Sequence, residues 1–323
     1  MVGVSQPVVS KVLNGGNGNV GASAATRERI LAMARKVGYR SNTAARAMRT
    51  GRFNCAALLL GVDPRTSILP VPLFYGLLDG LAKQGMHLTV AKLPDAKLVS
   101  AGVMPQLLSE LFADGLLINY NAKIPGALMD LIDRYHLPAV WINSMHPADC
   151  VYPDDCAAAR RLAEHFIQAG HRRVAFFNSS GAWHYSAAQR REGYVAAMTA
   201  AGLAPHVVEV RNKPTEAARL ALAQKLLDRS ARATAVVCYT GEASDLLCRV
   251  AADSGVFVPS DLVVGAFHDA PIQWQKKSVP TMILPEREIG MAAVAMLLKK
   301  IAHPSEPQPP VAVPCRLEGV GEQ

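Results

Sequence analysis

The sequence predicts an α/β protein with a small basic helical head and a larger body of two lobes, each built on a mostly parallel sheet. Its 323 residues suffice for more than one domain, and half of them are hydrophobic. From residue 56 onward, short apolar runs typical of buried strands alternate with helical stretches. This alternation indicates parallel strands connected by helices, and the number of strands favours two sheets over one.

The positive charge of the chain is concentrated at its N-terminus. Residues 1–52 contain nine basic residues and one acid, Glu28, so this segment carries a charge of +8, the formal charge of the whole chain. The remaining residues contain equal numbers of basic and acidic side chains. A neutral body with a basic head is typical of a protein whose separate module binds a polyanion. A merely solvated basic face is the alternative.

Two helices are predicted in the head. The first covers residues 4–14, is capped by Ser5 and has its apolar residues on one stripe. The second begins after the capping residue Ser23 and ends at Gly38, with its inward-facing residues expected at Ile30, Leu31, Ala34 and Val37. An Ala-rich stretch over 42–51 has a helical composition but is too short to be stable alone.

The body follows a strand and helix alternation. After a buried run over 56–60, strands are predicted at 87–93, 115–119, 139–143, 173–177, 207–210, 235–239 and 262–267. Helices are predicted near 73–84, 103–113, 125–135, 156–169, 186–201, 215–229 and 242–254. Because ligands of such folds bind at the carboxyl ends of the strands, we expect a binding cleft between the lobes.

Several classes of protein are disfavoured. No apolar run reaches the length of a membrane span, and the N-terminus does not resemble a secretion signal, so we expect a cytoplasmic protein with no membrane partner. The six cysteines are scattered without metal-site spacing, so we expect reduced thiols and neither a metal nor a cofactor. No nucleophile elbow, phosphate-binding loop or paired acid–base set is present, so we expect no enzyme.

Several motifs resemble the lactose and purine repressor (LacI) family of transcriptional regulators. Residues 3–15, GVSQPVVSKVLNG, are similar to its recognition-helix signature, and residues 26–30 and 38–52 resemble its third helix and hinge. Further matches in the body are Asp154-Asp155, the turn at 170–173, Arg190, Gly193-Tyr194, 255–264, 280–282 and 288–290. The resemblance covers nearly the whole chain and is most specific in the first 52 residues.

The resemblance implies a domain organisation and a function. It implies a helix-turn-helix head over 1–40, a hinge helix or linker over 41–53 and an effector-sensing, periplasmic-binding-protein-like body over 54–323. Lobe 1 would comprise about 54–150 plus 285–305, and lobe 2 about 151–284 plus the C-terminal tail. The function implied is that of a homodimeric DNA-binding regulator, expected to be a repressor, whose affinity for a double-stranded operator is controlled by a sugar-like effector.

One part of the family pattern is absent from the printed sequence. The family has an opening helix some ten residues before Gly3, and without it the apolar stripe of the first helix loses part of its cover. A misassigned start or a trimmed sequence would account for this difference. The alternative is a stand-alone small-molecule binding protein whose DNA-reading head has decayed.

Residues early in a recognition helix reach base edges, so we expect base contacts from Gln6, Pro7 and Lys11. Gln can pair with adenine and Lys with guanine, whereas Pro7 offers apolar contact only. Phosphate contacts are expected from Ser5, Ser10 and Asn14.

The resemblance implies a second set of DNA contacts from the hinge, at Asn42, Ala45, Met48 and Arg49. Met48 falls where the family has a leucine that wedges between base pairs, and methionine is able to unstack a step in this way. Its alternative role is to pack one hinge helix against the other.

The resemblance also implies effector contacts from Phe74, Tyr75, Asn143, Trp183, Arg190, Thr240 and His268. Arg190 matches the arginine that often binds the effector, whereas Asn143, Thr240 and His268 replace residues that are often acids or Asn. A sugar or related metabolite is still expected. For each residue a purely structural role is the alternative, and the Trp183-His184-Tyr185 cluster at a helix entry is equally consistent with loop packing.

Overall fold

The structure, a computed structural model, describes residues 3–13, 22–39, 51–63, 67–94, 113–121, 124–181, 184–210, 214–228 and 232–320. Six residues expected at sites lie outside this part of the chain: Asn14, Asn42, Ala45, Met48, Arg49 and Trp183. Most of the helix expected near 103–113 also lies outside it.

Helices and strands alternate through the body as the sequence predicts. The helices within the described ranges are α1 (Gln6–Leu13), α2 (Ala24–Lys36), α3 (Val71–Ala82), α4 (Gly126–Arg134), α5 (Asp155–Gln168), α6 (Tyr185–Ala200), α7 (Glu216–Leu226), α8 (Gly241–Asp253) and α9 (Glu286–Ala302). The strands within them are β1 (Cys55–Gly61), β2 (His87–Leu93), β3 (Gly115–Asn119), β4 (Ala139–Ile142), β5 (Cys150–Pro153), β6 (Val174–Asn178), β7 (His206–Glu209), β8 (Ala235–Cys238), β9 (Val263–His268), β10 (Ile272–Trp274), β11 (Lys277–Val279), β12 (Thr281–Ile283), β13 (Val311–Val313) and β14 (Arg316–Glu318). None of these helices combines the length and hydropathy needed to cross a lipid bilayer.

The head consists of α1 packed against α2. Val12 of α1 and Ile30 of α2 are buried in this small interface. The side chain of Ser23 caps α2 by accepting a hydrogen bond from the Thr26 amide at 3.2 Å, as predicted. The prediction for Val37 is wrong: this residue is 66% exposed, because it lies at the C-cap where the chain turns out of the helix.

The first sheet has the strand order β13-β5-β4-β3-β1-β2, and every neighbouring pair is parallel. Helices cover both of its faces: Ala56 and Leu58 of β1 pack with α3 and α9, whereas Ala57 and Leu59 pack with α4. Strands covered on both faces bury every side chain, which explains the uninterrupted apolar run that predicted β1.

The second sheet has the order β14-β12-β9-β8-β6-β7, in which only β14 runs antiparallel to its neighbour. Phe176 packs on the side of α5 and α6, and Phe177 packs on the side of α7 and α8. The prediction of two mostly parallel α/β lobes is therefore confirmed.

The boundaries of the lobes differ in two places from those expected. β5 belongs to the first sheet, which therefore extends to Pro153 rather than to residue 150. The C-terminal tail is divided, because β13 joins the first sheet and β14 joins the second. The chain consequently crosses between the sheets three times, over residues 153–155, 283–286 and 313–316.

Candidate functional site

The exposed face of α1 carries the residues expected to contact DNA. Ser5, Gln6, Pro7, Ser10 and Lys11 are all exposed, whereas Val12 on the opposite face is buried. The helix therefore presents polar and basic side chains outward because its apolar stripe is used against α2. The assignment of these residues to base or phosphate contacts stays a prediction.

A second group of polar residues connects the two lobes. Asn143 follows β4 of the first lobe and has a φ of +50°, a left-handed conformation that asparagine adopts more readily than most residues. Tyr185 of the second lobe donates a hydrogen bond from its hydroxyl to Asn143 Oδ1 at 3.2 Å. The Asn143 carbonyl oxygen accepts from Asn121 Nδ2 at 3.0 Å and lies 3.4 Å from His184 Nε2.

The tautomer of His184 follows from its other contacts. His184 is the N-cap of α6, and its Nδ1 accepts a hydrogen bond from the Ser186 amide at 3.3 Å. Burial and the neighbouring charge of Arg190 lower the pKa of His184 to about 4, so the ring is neutral near pH 7. The proton is therefore on Nε2, which donates to the Asn143 carbonyl across the lobes.

Arg190 lies at the centre of the buried polar group on the second lobe. Its Nε pairs with Asp155 Oδ1 at 2.7 Å, and its Nη1 donates to the Tyr239 carbonyl oxygen at 2.6 Å. The guanidinium carbon also lies 4.0 Å from the ring centre of Phe267 and 4.9 Å from that of Tyr239. These contacts hold the guanidinium in one orientation, so Arg190 has a structural role whether or not it also contacts an effector.

Two carboxyl groups beside Arg190 are incompletely paired. Asp155 is 2% exposed and Glu286 is 5% exposed, and Asp155 Oδ2 and Glu286 Oε2 are buried without a hydrogen-bond partner among the described residues. Burial raises the pKa of Glu286 to about 7, and the charge of Arg190 opposes this shift. Burial also raises the pKa of Asp155, again opposed by Arg190.

Glu286 is not among the site residues that the sequence predicts. A glutamate in the first turn of a helix is common, since it interacts favourably with the helix dipole, so the local sequence does not distinguish a buried from an exposed carboxylate. The burial of Glu286 results from the crossover at 283–286, which only the tertiary structure shows.

Thr240 and His268 have structural contacts at the carboxyl edge of the second sheet. The Thr240 hydroxyl caps α8 by accepting a hydrogen bond from the Ala243 amide at 3.3 Å. His268 Nδ1 lies 2.8 Å from Asp269 Oδ1, and its ring packs so closely on Gly241 that a Cβ there would lie 2.5 Å from His268 Cδ2. Their expected role in effector binding stays a prediction.

Phe74 and Tyr75 are neighbours in the first turns of α3 but have different environments. Phe74 is partly buried against the core of the first lobe, whereas Tyr75 is exposed. Their ring centres are 6.4 Å apart. The aromatic entrance expected from both side chains is therefore supported by exposure only for Tyr75.

The chain is similar to a known domain family and to known regulatory proteins. Residues 163–318 match the family model of the periplasmic binding protein-like domain. The chain is 28% identical over 338 residues to the maltose regulon regulatory protein MalI of Escherichia coli K12, covering 98% of this chain and 94% of that protein. It is 26% identical over 316 residues to the ribose operon repressor of Haemophilus influenzae, covering 94% of this chain and 90% of that protein.

Solved structures share the fold over nearly the full length. The lac repressor dimer bound to operator and the anti-inducer ONPF aligns with a TM-score of 0.77 and 18% identity, covering 98% of this chain and 94% of that one. The complex of the transcriptional regulator CelR with cellobiose aligns with a TM-score of 0.64 and 21% identity, covering 98% and 95%. In its head motifs, its two-lobed fold and these relatives over nearly its full length, the chain is similar to the lactose and purine repressor (LacI) family of transcriptional regulators.

Proposed function

We propose that this regulator represses transcription by binding an operator through its basic head, and that a sugar-like ligand bound between the lobes controls this binding. The observation that carries the proposal is the pairing of an exposed polar helix, in an N-terminal segment (residues 1–52) of charge +8, with a body whose lobes meet at buried polar side chains. The relatives are named as regulators and not as enzymes, which supports a regulatory rather than a catalytic role.

The head is proposed to bind the major groove through the exposed face of α1. Gln6 and Lys11 have the donor and acceptor groups that pair with adenine and guanine edges, and Pro7 adds apolar contact. Ser5 and Ser10 lie beside them and are suited to phosphate oxygens. Asn14 is proposed as a further phosphate contact, and Asn42, Ala45, Met48 and Arg49 as hinge contacts.

The ligand is proposed to bind where the carboxyl edges of the two sheets meet. Asn143, Arg190, Thr240 and His268 lie at or beside these edges, and Tyr75 with Phe74 lies on the first lobe nearby. Trp183 is proposed to complete the set. Support for a sugar comes from the relatives, one of which regulates a maltose regulon, one a ribose operon, and one of which is bound to cellobiose.

The regulator is proposed to act as a homodimer in the cytoplasm. The lac repressor structure that this chain resembles is a dimer on its operator, and two identical heads would read two half-sites related by two-fold symmetry. A ligand that binds more tightly to one arrangement of the lobes shifts the population of DNA-competent dimers, and a coupling of roughly 1–3 kcal/mol is sufficient for a switch.

The test is selection of bound duplexes from a random pool, followed by titration of the selected duplex in the presence of maltose, ribose or cellobiose. We expect a site with two symmetric halves, an affinity that falls steeply as salt rises, and a change in affinity with one of the sugars. Negligible binding to every duplex at low ionic strength would contradict the proposal and favour a stand-alone sugar-binding protein.

A further inference from the structure

The three crossovers between the lobes each place one ionisable side chain in the interior. These are Asp155 at the start of α5, Glu286 at the start of α9 and Cys315 between β13 and β14, and all three are buried. They lie within electrostatic range of one another and of Arg190. The crossovers at 153–155 and 313–316 are also joined directly, because the Asp154 amide donates to the Val313 carbonyl oxygen at 2.8 Å.

Within this group, the described residues do not supply a hydrogen-bond donor for every buried oxygen. Arg190 uses two of its nitrogens on Asp155 Oδ1 and on the Tyr239 carbonyl. Asp155 Oδ2 and Glu286 Oε2 are left without a partner among the described residues, and Glu286 forms no ion pair with any of them. Buried polar atoms in native structures are nearly always paired with protein groups or ordered water, so two such oxygens beside one arginine have the capacity to accept donors from a bound molecule.

We propose that Glu286 is a specificity-determining residue of the ligand site, where it accepts a hydrogen bond from a hydroxyl or ammonium group of a sugar-like ligand and excludes anionic ligands. This inference rests on the proposed ligand-binding function of the cleft. Asp155 Oδ2 is the second buried oxygen of this group without a hydrogen-bond partner among the described residues. A neutral sugar and an amino sugar both carry a hydrogen-bond donor that Glu286 is able to accept from.

The charges around Glu286 disfavour a phosphorylated or carboxylated ligand. The charged groups acting on Glu286 are Arg190 on α6, Asp155 on α5 and Asp269 after β9, and the only cation among them is already paired with Asp155. His184, at the start of α6, is neutral because its pKa is lowered to about 4. An incoming anion would therefore meet an excess of negative charge in a site of low dielectric constant.

In contrast to an anion, a hydrogen-bond donor of the ligand interacts favourably with the ionised carboxylate of Glu286. Because burial raises the pKa of Glu286 to about 7, the group is close to half protonated in the ligand-free protein at neutral pH. A donor favours the ionised form, so binding at pH 7 releases part of a proton. An ammonium group strengthens this effect because it also supplies a positive charge.

The experiment compares ligands that share a ring and differ in one group. Glucose, ribose, arabinose, maltose and cellobiose are the neutral probes, glucosamine is the cationic probe, and the phosphates of glucose and ribose are the anionic probes. Binding is measured by isothermal titration calorimetry at pH 7 in two buffers of different ionisation enthalpy, which reports affinity and proton release together. The proteins are the full chain, Glu286→Gln and the matched control Glu288→Gln, which changes an exposed carboxylate of the same helix.

We expect at least one neutral or amino sugar to bind with release of a fraction of a proton, and no binding of the phosphates. Glu286→Gln should weaken the binding about tenfold and abolish the proton release, whereas Glu288→Gln should bind as the full chain does. Tighter binding of glucosamine than of glucose identifies the donor as an ammonium group, and the reverse order identifies a hydroxyl.

The inference is overturned if a phosphorylated sugar binds most tightly, if Glu286→Gln binds with unchanged affinity and proton release, or if no probe binds. These outcomes are distinct from failure of the proposed function. A sugar that binds in a Glu286-dependent manner but leaves operator affinity unchanged contradicts the regulation and not the ligand class. If the chain binds its operator but none of the sugars, the result contradicts the ligand class and not the operator binding.

Discussion

Tyr185 of the second lobe donates a hydrogen bond to Asn143 of the first lobe, with 3.2 Å between the tyrosine hydroxyl and Asn143 Oδ1. His184, one residue earlier, reaches the carbonyl oxygen of the same Asn143. One residue in a left-handed conformation therefore anchors two side chains from the opposite lobe. Since Asn143 and its partners lie beside the proposed ligand site, this contact connects the arrangement of the lobes to occupancy of the cleft.

Replacing Tyr185 with Phe should loosen the contact between the lobes. The change removes the donor and leaves Asn143 Oδ1 without its hydrogen bond, at an expected cost of about 0.5–1.5 kcal/mol. The free energy of unfolding in urea and the radius of gyration from small-angle X-ray scattering measure the effect. Tyr75→Phe, which alters an exposed tyrosine, is the control, and equal effects of the two changes would contradict the role assigned to Tyr185.

Removing Arg190 should destabilise the fold in addition to affecting ligand binding. Arg190→Met leaves the 2% exposed Asp155 as a buried carboxylate without its cation, and breaking such a pair typically costs about 3–5 kcal/mol. The double variant Arg190→Met, Asp155→Leu removes both charges and should recover much of the lost stability. Urea unfolding of the two variants and the unsubstituted chain forms the test, and a double variant no more stable than the single one would argue against a coupled pair.

The close packing of α3 on α9 depends on Gly76. A Cβ at this position would lie 2.1 Å from the carbonyl oxygen of Arg287, which belongs to the backbone and has little freedom to move. We expect Gly76→Ala to destabilise the first lobe by about 1–3 kcal/mol or more. Gly126→Ala is the matched control at the start of α4, because a Cβ there meets nothing within 4 Å. A thermal midpoint of Gly76→Ala equal to that of the control would contradict this packing.

The sequence predicts the regular body well because its signals are local. The strands β2, β3, β4 and β6 to β9 lie within one residue of their predicted bounds, and those buried on both faces, such as β3 and β8, are continuous apolar runs. The three-residue strands β13 and β14 are missed for the opposite reason. They form by pairing with β5 and β12, which are distant in sequence, and their own composition contains no strand pattern.

The candidate site is predictable only in part. The motif resemblance identifies Arg190 as an effector contact. It does not predict that Arg190 also forms a buried ion pair with Asp155. Glu286 is missed because its role depends on where a crossover places it. Without the family's opening helix, the apolar residues of α1 are expected to be partly uncovered. Val12 is nevertheless buried, because α2 packs against it. These features depend on how segments distant in sequence are placed relative to one another, and local residue patterns do not reveal this placement.

Lys11 should contribute to sequence preference if α1 reads the major groove. Lys11→Ala is expected to relax the preference at one base position and to cost about 1–3 kcal/mol there, because one side chain bonds one base edge. Lys36→Ala, at the exposed end of α2, is the matched control and should weaken binding to all duplexes by a similar factor. Binding of the selected operator and of single-base variants measures this, and an unchanged preference in Lys11→Ala would exclude it from base recognition.

The raised pKa of Glu286 should make stability depend on pH in a defined window. The ordinary pKa is 4.5 and the folded value is about 7, so between these values the folded chain keeps a proton that the unfolded chain has lost. The contribution of this group is therefore fully present below pH 4.5 and is lost as the pH rises to about 7, by roughly 3 kcal/mol. Glu286→Gln does not titrate, so subtracting its unfolding free energies from those of the unsubstituted chain cancels groups that do not interact with Glu286, such as His184. Urea unfolding at pH 5, 6, 7 and 8 should show this difference falling across the window, with no such fall for the exposed Glu288→Gln. Parallel curves for the chain and Glu286→Gln would show that Glu286 is an ordinary solvated carboxylate.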